Sequence, residues 1–210
     1  MSDYETSPAY RVRQVAKRAL YDRETVHAIL DAGYVAHVAF MDEAGPVSLP
    51  LFYVRDGESV LFHGARKGRF MRVLGGGAPL CLTVTHMDGL VLARSAFHHS
   101  MNYRSVMVHG VAEAVTDAEK PRALDLFIRR ARAGRPQETR PTNTQELKAT
   151  AVLRLPLVEV AAKVRTGGPL DDPEDMDLPV WAGVVPMQVM FGEPVRDVPD
   201  AAMKSEKETA

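Results

Sequence analysis

Apolar and polar residues alternate along much of the chain after residue 33, which is the pattern of strands with one buried face. Turn-forming dipeptides separate several of these runs: Gly45-Pro46, Asp56-Gly57 and Asp88-Gly89. The pattern predicts strands over residues 34–41, 47–54, 59–63, 79–86, 90–94, 102–115 and 149–164. Gly110 predicts a bulge or bend within the sixth strand, and Pro156 predicts an edge position or a break within the last.

Helical periodicity is confined to a few segments. It predicts helices over residues 11–19, 22–32, 69–74 and 118–132. Asp22 is expected to cap the second helix and Gly33 to end it, while the Gly75-Gly76-Gly77 run ends the third. Many short strands with few helices predict a mainly β protein, a small antiparallel barrel with flanking helices.

Composition narrows the class of protein. The 210 residues are 46 % hydrophobic, which is enough for a full core, and the formal charge of −1 gives no general attraction to nucleic acid. We find no apolar run long enough to cross a membrane and no targeting signal, and we therefore expect a soluble, cytoplasmic protein. The single cysteine, Cys81, excludes an internal disulfide. We expect one domain over residues 1–195 and a flexible tail over 196–210.

A cluster of cations follows the strand that ends at His63-Gly64. Its members are Arg66, Lys67, Arg69 and Arg72, all near the predicted start of a helix. Backbone N–H groups at a helix start, a permissive glycine and several cations together form a phosphate receptor. The spacing matches neither a P-loop nor the GxGxxG dinucleotide fingerprint, and the alternative is an ordinary solvated helix.

Polar residues on two strands form a second candidate group. Thr83 and Thr85 share one face of a strand, whereas alternation separates Asn102 and Arg104 from their neighbours Tyr103 and Ser105. The alternative function for all of them is structural hydrogen bonding. We predict no metal site, because His98-His99 lacks further ligands at zinc spacing and the acidic loop 171–177 lacks the spacing of a calcium loop.

The body of the chain, residues 25–185, resembles the flavin-nucleotide-binding proteins of the pyridoxamine 5′-phosphate oxidase-like, FMN-binding split-barrel superfamily. Within it, the resemblance is to the branch that includes the nitroimidazole-resistance proteins. The matching segments are LFHGARKGRFMRVL, TVTHMDGLVLARSAFHHSMNYRSVMVHG, ELKATAVL, AKVRTGGPLDD and LPVWAGVVP. The resemblance implies a split β-barrel and a homodimer with FMN at the subunit interface.

The resemblance also implies cofactor-binding residues. Ala65-Arg66-Lys67 stands where the oxidases carry a Ser-Arg-Lys-type phosphate-binding turn, although Ala65 lacks the hydroxyl. The full set is His63, Gly64, Ala65, Arg66, Lys67, Arg69, Thr83, Thr85, Asn102, Tyr103, Arg104, Ser105, Lys163, Arg165 and Trp181. Lys163, Arg165 and Trp181 are included because cations and an aromatic face suit a flavin ring.

The implied function is that of an FMN-dependent oxidoreductase acting on a small molecule, like the pyridoxamine-phosphate oxidases or like a nitroreductase. Candidates for a proton donor or substrate contact are His98, His99 and Tyr103. The alternative is a non-catalytic flavin or haem carrier or sensor. If the cofactor is haem, the candidate axial ligands of its iron are His63, His86, His98 and His109, although no CxxCH motif is present.

Overall fold

The computed structural model describes residues 3–197, and within them ten strands form one curled antiparallel sheet. The strands are β1 (Ala19–Leu20), β2 (Val35–Asp42), β3 (Gly45–Arg55), β4 (Ser59–Ala65), β5 (Pro79–Leu92), β6 (Ser100–Val111), β7 (Glu113–Ala114), β8 (Thr150–Pro156), β9 (Glu159–Arg165) and β10 (Gly183–Pro186). Their order is β1-β9-β6-β5-β2-β3-β4-β8-β7, and β10 pairs with β5. Most of the predicted tail, residues 198–210, lies outside the described residues.

The sheet curls around one main core, built from the inward-facing residues of its strands. Val38 of β2, Leu82 of β5 and Val106 of β6 are fully buried there, and Phe62 of β4 packs among them. Strand β3 bends between two neighbours, because it pairs with β2 up to Phe52 and with β4 from Tyr53 onward. This curled sheet with few flanking helices is a split β-barrel, and the predicted fold class is confirmed.

Five helices flank the described sheet: α1 (Arg23–Ala32), α2 (Arg69–Gly75), α3 (Lys120–Ala131), α4 (Arg135–Glu138) and α5 (Thr144–Ala149). Asp22 caps α1 as predicted, since its carboxylate accepts a hydrogen bond of 2.8 Å from the Thr25 N–H. Helix α3 covers a second, smaller core in which Phe127 and Ala123 pack beside Leu61 of β4. None of the helices in residues 3–197 has the length and apolar content that crossing a bilayer requires.

The predicted helix over residues 11–19 is wrong. The structure has only a 3₁₀ turn at Ala16–Arg18, preceded by Val15 in the left-handed region at φ 54°. Ala19 then enters β1 opposite Lys163 of β9. Pairing with a strand that is remote in sequence overrides the local helical pattern here.

Two strand predictions are corrected in detail, and a third is confirmed. The predicted turn at Asp88-Gly89 is a bulge inside the continuous strand β5, and Gly110 lies in regular register opposite Leu80 rather than in a bulge. Pro156 marks the predicted break, because the segment 149–164 splits into β8, which pairs with β4, and β9, which pairs with β6. Strand β10 and the short helices α4 and α5 were not predicted from the pattern.

Candidate functional site

The basic loop, defined here as residues 65–68, joins β4 to α2 as the sequence predicted. Arg66 and Lys67 are exposed, and the Arg66 N–H donates a hydrogen bond of 2.7 Å to the Ala149 carbonyl. Within residues 3–197 no carboxylate forms a salt bridge with either side chain. The loop therefore presents two positive charges that remain available to an anion.

Arg69 differs from its two neighbours because it forms an ion pair with Asp42 at the end of β2. The hydrogen bond from the Ala44 N–H, together with this guanidinium, holds the pKa of the Asp42 carboxyl below its ordinary value. The charge of Arg69 is thus already balanced within the protein. Arg66 and Lys67 are better placed to bind a phosphate.

His63 and Gly64 serve the packing around this loop. The His63 ring lies beneath α3, 4.5 Å from the Phe127 ring in an edge-on arrangement, and its Nδ1 is buried without a hydrogen-bond partner. Burial lowers the pKa of His63. A Cβ at Gly64 would lie 3.0 Å from Cγ of Met71, so glycine allows α2 to pack against β4.

The half-buried His63 imidazole is expected to make the stability of the protein depend on pH. In the unfolded chain this imidazole titrates near its ordinary pKa of about 6.5, whereas the folded protein disfavours its protonation. As the pH falls below that value, the unfolded state binds a proton that the folded state does not, and the free energy of unfolding decreases. We expect the free energy of unfolding to fall less for His63→Gln than for the wild type between pH 7.5 and 5.5, because the variant lacks the imidazole that takes up a proton on unfolding. The urea midpoint measured across this pH range reports the difference. The exposed His37, replaced in the same way, is the control, and parallel curves for wild type and His63→Gln would contradict the prediction.

A polar row crosses the outer face of the sheet, with Thr85, Ser105 and Lys163 directly opposite one another on β5, β6 and β9. Thr83 lies on the same face, between His37 of β2 and Met107 of β6. The predicted common face of Thr83 and Thr85 is therefore confirmed. The row provides two hydroxyl groups and one ammonium group on a surface that helices leave open.

An N-terminal strap, residues 9–14, crosses one end of this outer face and borders an open cavity of about 570 Å³. Tyr10 of the strap stacks on His109 of β6, with ring centroids 4.4 Å apart and planes inclined by 18°. Burial lowers the pKa of His109. The lining residues are Ala9, Tyr10, Arg11, Val12, Arg13, Gln14, Ser105, Met107, His109, Ala161 and Lys163. They include three cations and no carboxylate, and the cavity thus suits an anionic ligand with apolar parts.

The two residue pairs on β6 have separate surroundings, as alternation predicted. Tyr103 lies on the outer face with Ser105, opposite Arg165 of β9. Asn102 is buried and donates a hydrogen bond of 3.0 Å to the Gly167 carbonyl, while its side-chain oxygen accepts from Arg165. These contacts agree with the alternative interpretation of Asn102, in which its side chain forms structural hydrogen bonds.

Arg104, the other inward member, holds Asp88 through two hydrogen bonds of 2.9 Å, and these hold the pKa of the Asp88 carboxyl below its ordinary value. Its guanidinium borders a second cavity of about 470 Å³, which also includes His86 and Met87. The His86 Nε2–H donates a hydrogen bond of 2.9 Å to the Ile29 carbonyl oxygen. The charge of Arg104 is balanced within the protein.

The remaining predicted residues contact other parts of the described chain. His98 Nε2 lies 3.0 Å from a carboxylate oxygen of Asp172, and His99 Nδ1 lies 2.9 Å from the Ser95 carbonyl oxygen. Trp181 is 66 % exposed and packs over Gly183 of β10. These contacts involve no member of the polar row, and roles for the three residues in chemistry stay predictions.

Sequence reasoning missed the strap and its cavity. Arg11 and Arg13 lie in the segment that was predicted to be helical, and Tyr10 directly precedes it. All three meet β6 and β9 only in the folded chain. No local signal identifies such a contact. The pairing of Asp42 with Arg69 was missed for the same reason.

Comparisons with known proteins agree with this architecture. The sequence profile of the family described as pyridoxamine 5′-phosphate oxidase matches residues 22–164. The structure of the flavocytochrome Anf3 from Azotobacter vinelandii is 43 % identical, with 92 % of each chain covered and a TM-score of 0.85. The structure of the FAD- and haem-binding protein from Mycobacterium smegmatis is 35 % identical, covering 87 % of this chain and 91 % of that chain with a TM-score of 0.84.

A more distant structure supports the fold alone. It is a candidate 5-nitroimidazole antibiotic resistance protein from Bacteroides thetaiotaomicron, 20 % identical over 70 % of this chain and 86 % of that chain, with a TM-score of 0.58. No curated protein matches the sequence.

Proposed function

This chain belongs to the pyridoxamine 5′-phosphate oxidase family, and we propose that it binds a flavin nucleotide and exchanges electrons with a small molecule. The observation that carries the proposal is the outer-face site. There the row of Thr85, Ser105 and Lys163 runs into a cavity lined by cations without a carboxylate. The apolar ring system and hydrogen-bonding edges of a flavin nucleotide match this row and lining, and we assign its phosphate to the basic loop.

The residues divide the binding tasks. Arg66 and Lys67 supply charge for a phosphate, since no carboxylate of the described chain pairs with them. Thr85 and Ser105 supply hydroxyl groups that donate or accept hydrogen bonds, and Lys163 supplies a positive charge that favours negative charge on a bound ring. The flavin, when bound, supplies the hydride or electron transfer.

We propose FMN as the flavin, because a single phosphate accounts for the exposed charges of the basic loop. FAD is the alternative, supported by the name of the Mycobacterium smegmatis protein, which binds FAD and haem. Both nucleotides share the ring and the first phosphate. Identification of the released flavin decides between them.

An oxidoreductase role is tested by turnover. We expect the flavin-loaded protein to oxidise NADH or NADPH in the presence of a nitroaromatic acceptor, followed as loss of absorbance at 340 nm, because an accessible bound flavin passes electrons between the two. The protein-free flavin at equal concentration is the control. Full flavin occupancy without turnover over a broad set of acceptors would favour the carrier or sensor.

We also propose a homodimer with the flavin at its interface. Apolar side chains with substantial exposure share the outer face with the polar row: Val35, Met41, Met87, Met107 and Val111. Exposed apolar residues grouped on one face are typical of an interaction surface. A second copy of the chain that covers this face would also exclude water from the flavin site.

If the outer face of the sheet forms the homodimer interface, a charged residue placed on that face should prevent dimerisation. Met41 is 63 % exposed at the end of β2, and Met41→Glu would place a carboxylate in the interface, where its desolvation opposes association. We expect sedimentation velocity to show a dimer for the wild type and monomer for this variant. Val158→Glu is the control, because Val158 is 62 % exposed but lies in the turn between β8 and β9. A monomeric wild type, or a Met41→Glu protein that stays dimeric, would contradict the proposal.

Haem is the second candidate cofactor. It is favoured because two similar structures, at 43 % and 35 % identity, are those of a flavocytochrome and of an FAD- and haem-binding protein. Of the four candidate axial ligands, His109 borders the cavity beneath the strap, and burial lowers the pKa of its imidazole, which favours the neutral form that binds iron. A Soret band in the purified protein that is lost in His109→Ala would support haem at this site. The predicted cytoplasmic location stays a prediction.

A further inference from the structure

The cavity of about 470 Å³ beside Arg104 lies where the chain beyond β10 meets the bulge in β5, and we call it the bulge cavity. Its volume is within the range of small-molecule sites, about 300–1,000 Å³. Met187, Gln188 and Val189 contribute to its lining together with Thr85 of the polar row. The family profile matches residues 22–164, so the cavity depends on a segment that the profile does not include.

Backbone contacts fix the wall that residues 187–189 form. Strand β10 pairs with β5, and directly after β10 the Met187 N–H donates a hydrogen bond of 3.0 Å to the Asp88 carbonyl oxygen. A Cβ at Gly89 would lie 2.9 Å from the Val185 carbonyl oxygen, so glycine allows β10 to approach β5 this closely. The paired strands therefore hold this wall in place.

The polar groups of the bulge cavity carry balanced charges. Nε and Nη2 of Arg104 donate hydrogen bonds of 2.9 Å to the two carboxylate oxygens of Asp88. Nη1 of Arg104 has no hydrogen-bond partner within residues 3–197, and this side chain is 39 % exposed. The Gln188 side chain is exposed and forms no hydrogen bond in the same part of the chain. The cavity thus offers N–H donors without an excess of positive charge.

This balance distinguishes the bulge cavity from the cationic sites of the protein. The cavity beside the strap has three cations and no carboxylate in its lining, and it suits an anion. In the bulge cavity an anion would lose hydration, while the guanidinium that it meets is already neutralised by Asp88. An uncharged oxygen acceptor loses less hydration and accepts hydrogen bonds from the same N–H groups. The bulge cavity therefore favours an uncharged ligand.

Apolar side chains supply much of the remaining lining. Met87 and Met187 are 39 % and 43 % exposed, and Val189 is fully exposed. Methionine side chains adapt to the shape of a ligand, and their sulfur atoms form favourable contacts with aromatic rings. A flat aromatic ligand would remove this apolar surface from water, which favours its binding.

We propose that the bulge cavity binds an uncharged aromatic molecule that carries a carbonyl oxygen. The oxygen accepts hydrogen bonds from Arg104 and Gln188, and the ring packs on Met87 and Met187. Thr85 belongs to both the polar row and the cavity lining, so this ligand lies beside the flavin site. Its role as the small-molecule partner of the flavin rests on the proposed function, whereas its binding rests on the cavity lining alone.

A purely structural role for the ion pair is the competing explanation. Arg104 would then only stabilise the bulge through Asp88, and the space beside the pair would hold only water. That explanation predicts no discrimination between an uncharged and an anionic ligand of the same shape. The probes 2-naphthamide and 2-naphthoate provide this comparison, because they share their ring and outline and differ by one negative charge.

The test is calorimetric titration of the full-length protein, as purified, with each probe at neutral pH. We expect the wild type to bind 2-naphthamide at least about tenfold more tightly than 2-naphthoate, because the loss of carboxylate hydration is not compensated. Asp88→Asn leaves the charge of Arg104 unbalanced, and it should strengthen 2-naphthoate binding at least about threefold.

A second pair of variants locates the probe. Val189→Glu places a carboxylate in the apolar wall and should weaken 2-naphthamide binding about fivefold or more. Val195→Glu is the matched control, because Val195 is 94 % exposed in the same C-terminal segment but does not line the cavity. Both positions are exposed, so neither substitution disturbs the core, and thermal unfolding confirms that each variant is folded.

The outcomes are distinct. Absence of 2-naphthamide binding, equal affinities for the two probes, unchanged 2-naphthoate affinity in Asp88→Asn, or equal 2-naphthamide affinities in Val189→Glu and Val195→Glu would each refute the site. Displacement of 2-naphthamide by riboflavin would refute it too, because the probe would then occupy the flavin site. Binding at the bulge cavity in a protein that takes up no flavin would leave this site standing and remove the proposed flavin function. A flavin-loaded protein that binds no 2-naphthamide would remove only the bulge-cavity site.

Discussion

Lys67→Ala is expected to weaken FMN binding by about ten- to a hundredfold and to leave riboflavin binding unchanged. Lys67 is exposed in the basic loop, and no carboxylate in residues 3–197 forms a salt bridge with it. A hydrogen bond to a charged group contributes about 1.5–3 kcal/mol, which corresponds to that range of affinity. Riboflavin has the same ring system without the phosphate, and it therefore isolates the phosphate contact.

The measurement is quenching of flavin fluorescence on titration with protein. Arg132→Ala is the matched control, because it removes an exposed cation at the C-terminal end of α3, whereas the N-terminal end of that helix faces α5 and the basic loop. The wild-type affinity for FMN should also fall as salt concentration rises, since the contact is between charges. Equal losses for FMN and riboflavin would show that Lys67 does not bind the phosphate.

Phe62→Ala is expected to cause the largest loss of stability, about 3–5 kcal/mol. Phe62 is fully buried on β4, opposite Tyr53 of β3, and its ring lies 5.8 Å from the Phe70 ring of α2. The substitution removes a large apolar surface from the core and leaves a cavity that strands on both sides prevent from closing. It also removes one of the contacts that hold α2 against the barrel.

Urea unfolding followed by circular dichroism measures this effect as a lower midpoint at an unchanged slope. Phe97→Ala is the control, because Phe97 is 89 % exposed in the turn before β6 and should change stability by less than about 0.5 kcal/mol. Similar midpoints for the two variants would contradict the assignment of the core.

Local sequence signals predicted the elements whose stability is local. Helix α1 has an N-cap at Asp22 and buried residues Val26, Ile29 and Leu30 at helical spacing, and all of these occur in the structure. The alternation in β2 is equally regular, with every second residue buried. In such segments the side-chain period alone selects the backbone conformation.

Local sequence signals gave wrong predictions where pairing with a strand distant in sequence determines the backbone conformation. Gly89 was interpreted as part of a turn, but a Cβ there would lie 2.9 Å from the Val185 carbonyl oxygen of β10, and glycine thus marks a close strand contact. The short strands β1 and β10 are stable only through β9 and β5. Neither partner is identifiable from the segment itself.

The same limit applies to the candidate site. Alternation placed Thr83 and Thr85 on one face, but it does not reveal that Ser105 and Lys163 continue the row, because strand order is a property of the whole sheet. The composition of the basic loop was predicted, whereas the neutralisation of Arg69 by Asp42 required the hairpin of β2 and β3 to be positioned. The roles of these residues toward a cofactor stay predictions.

The central claim is that this split barrel holds a flavin nucleotide, and the most direct test is the visible absorption spectrum of the purified protein with identification of the released chromophore. We predict the two-band spectrum of a flavin, release of FMN or FAD on denaturation, and a lower flavin content in Lys67→Ala. A Soret band in addition would establish the second cofactor beside the flavin. A colourless protein that takes up neither FMN nor FAD on reconstitution would contradict the account.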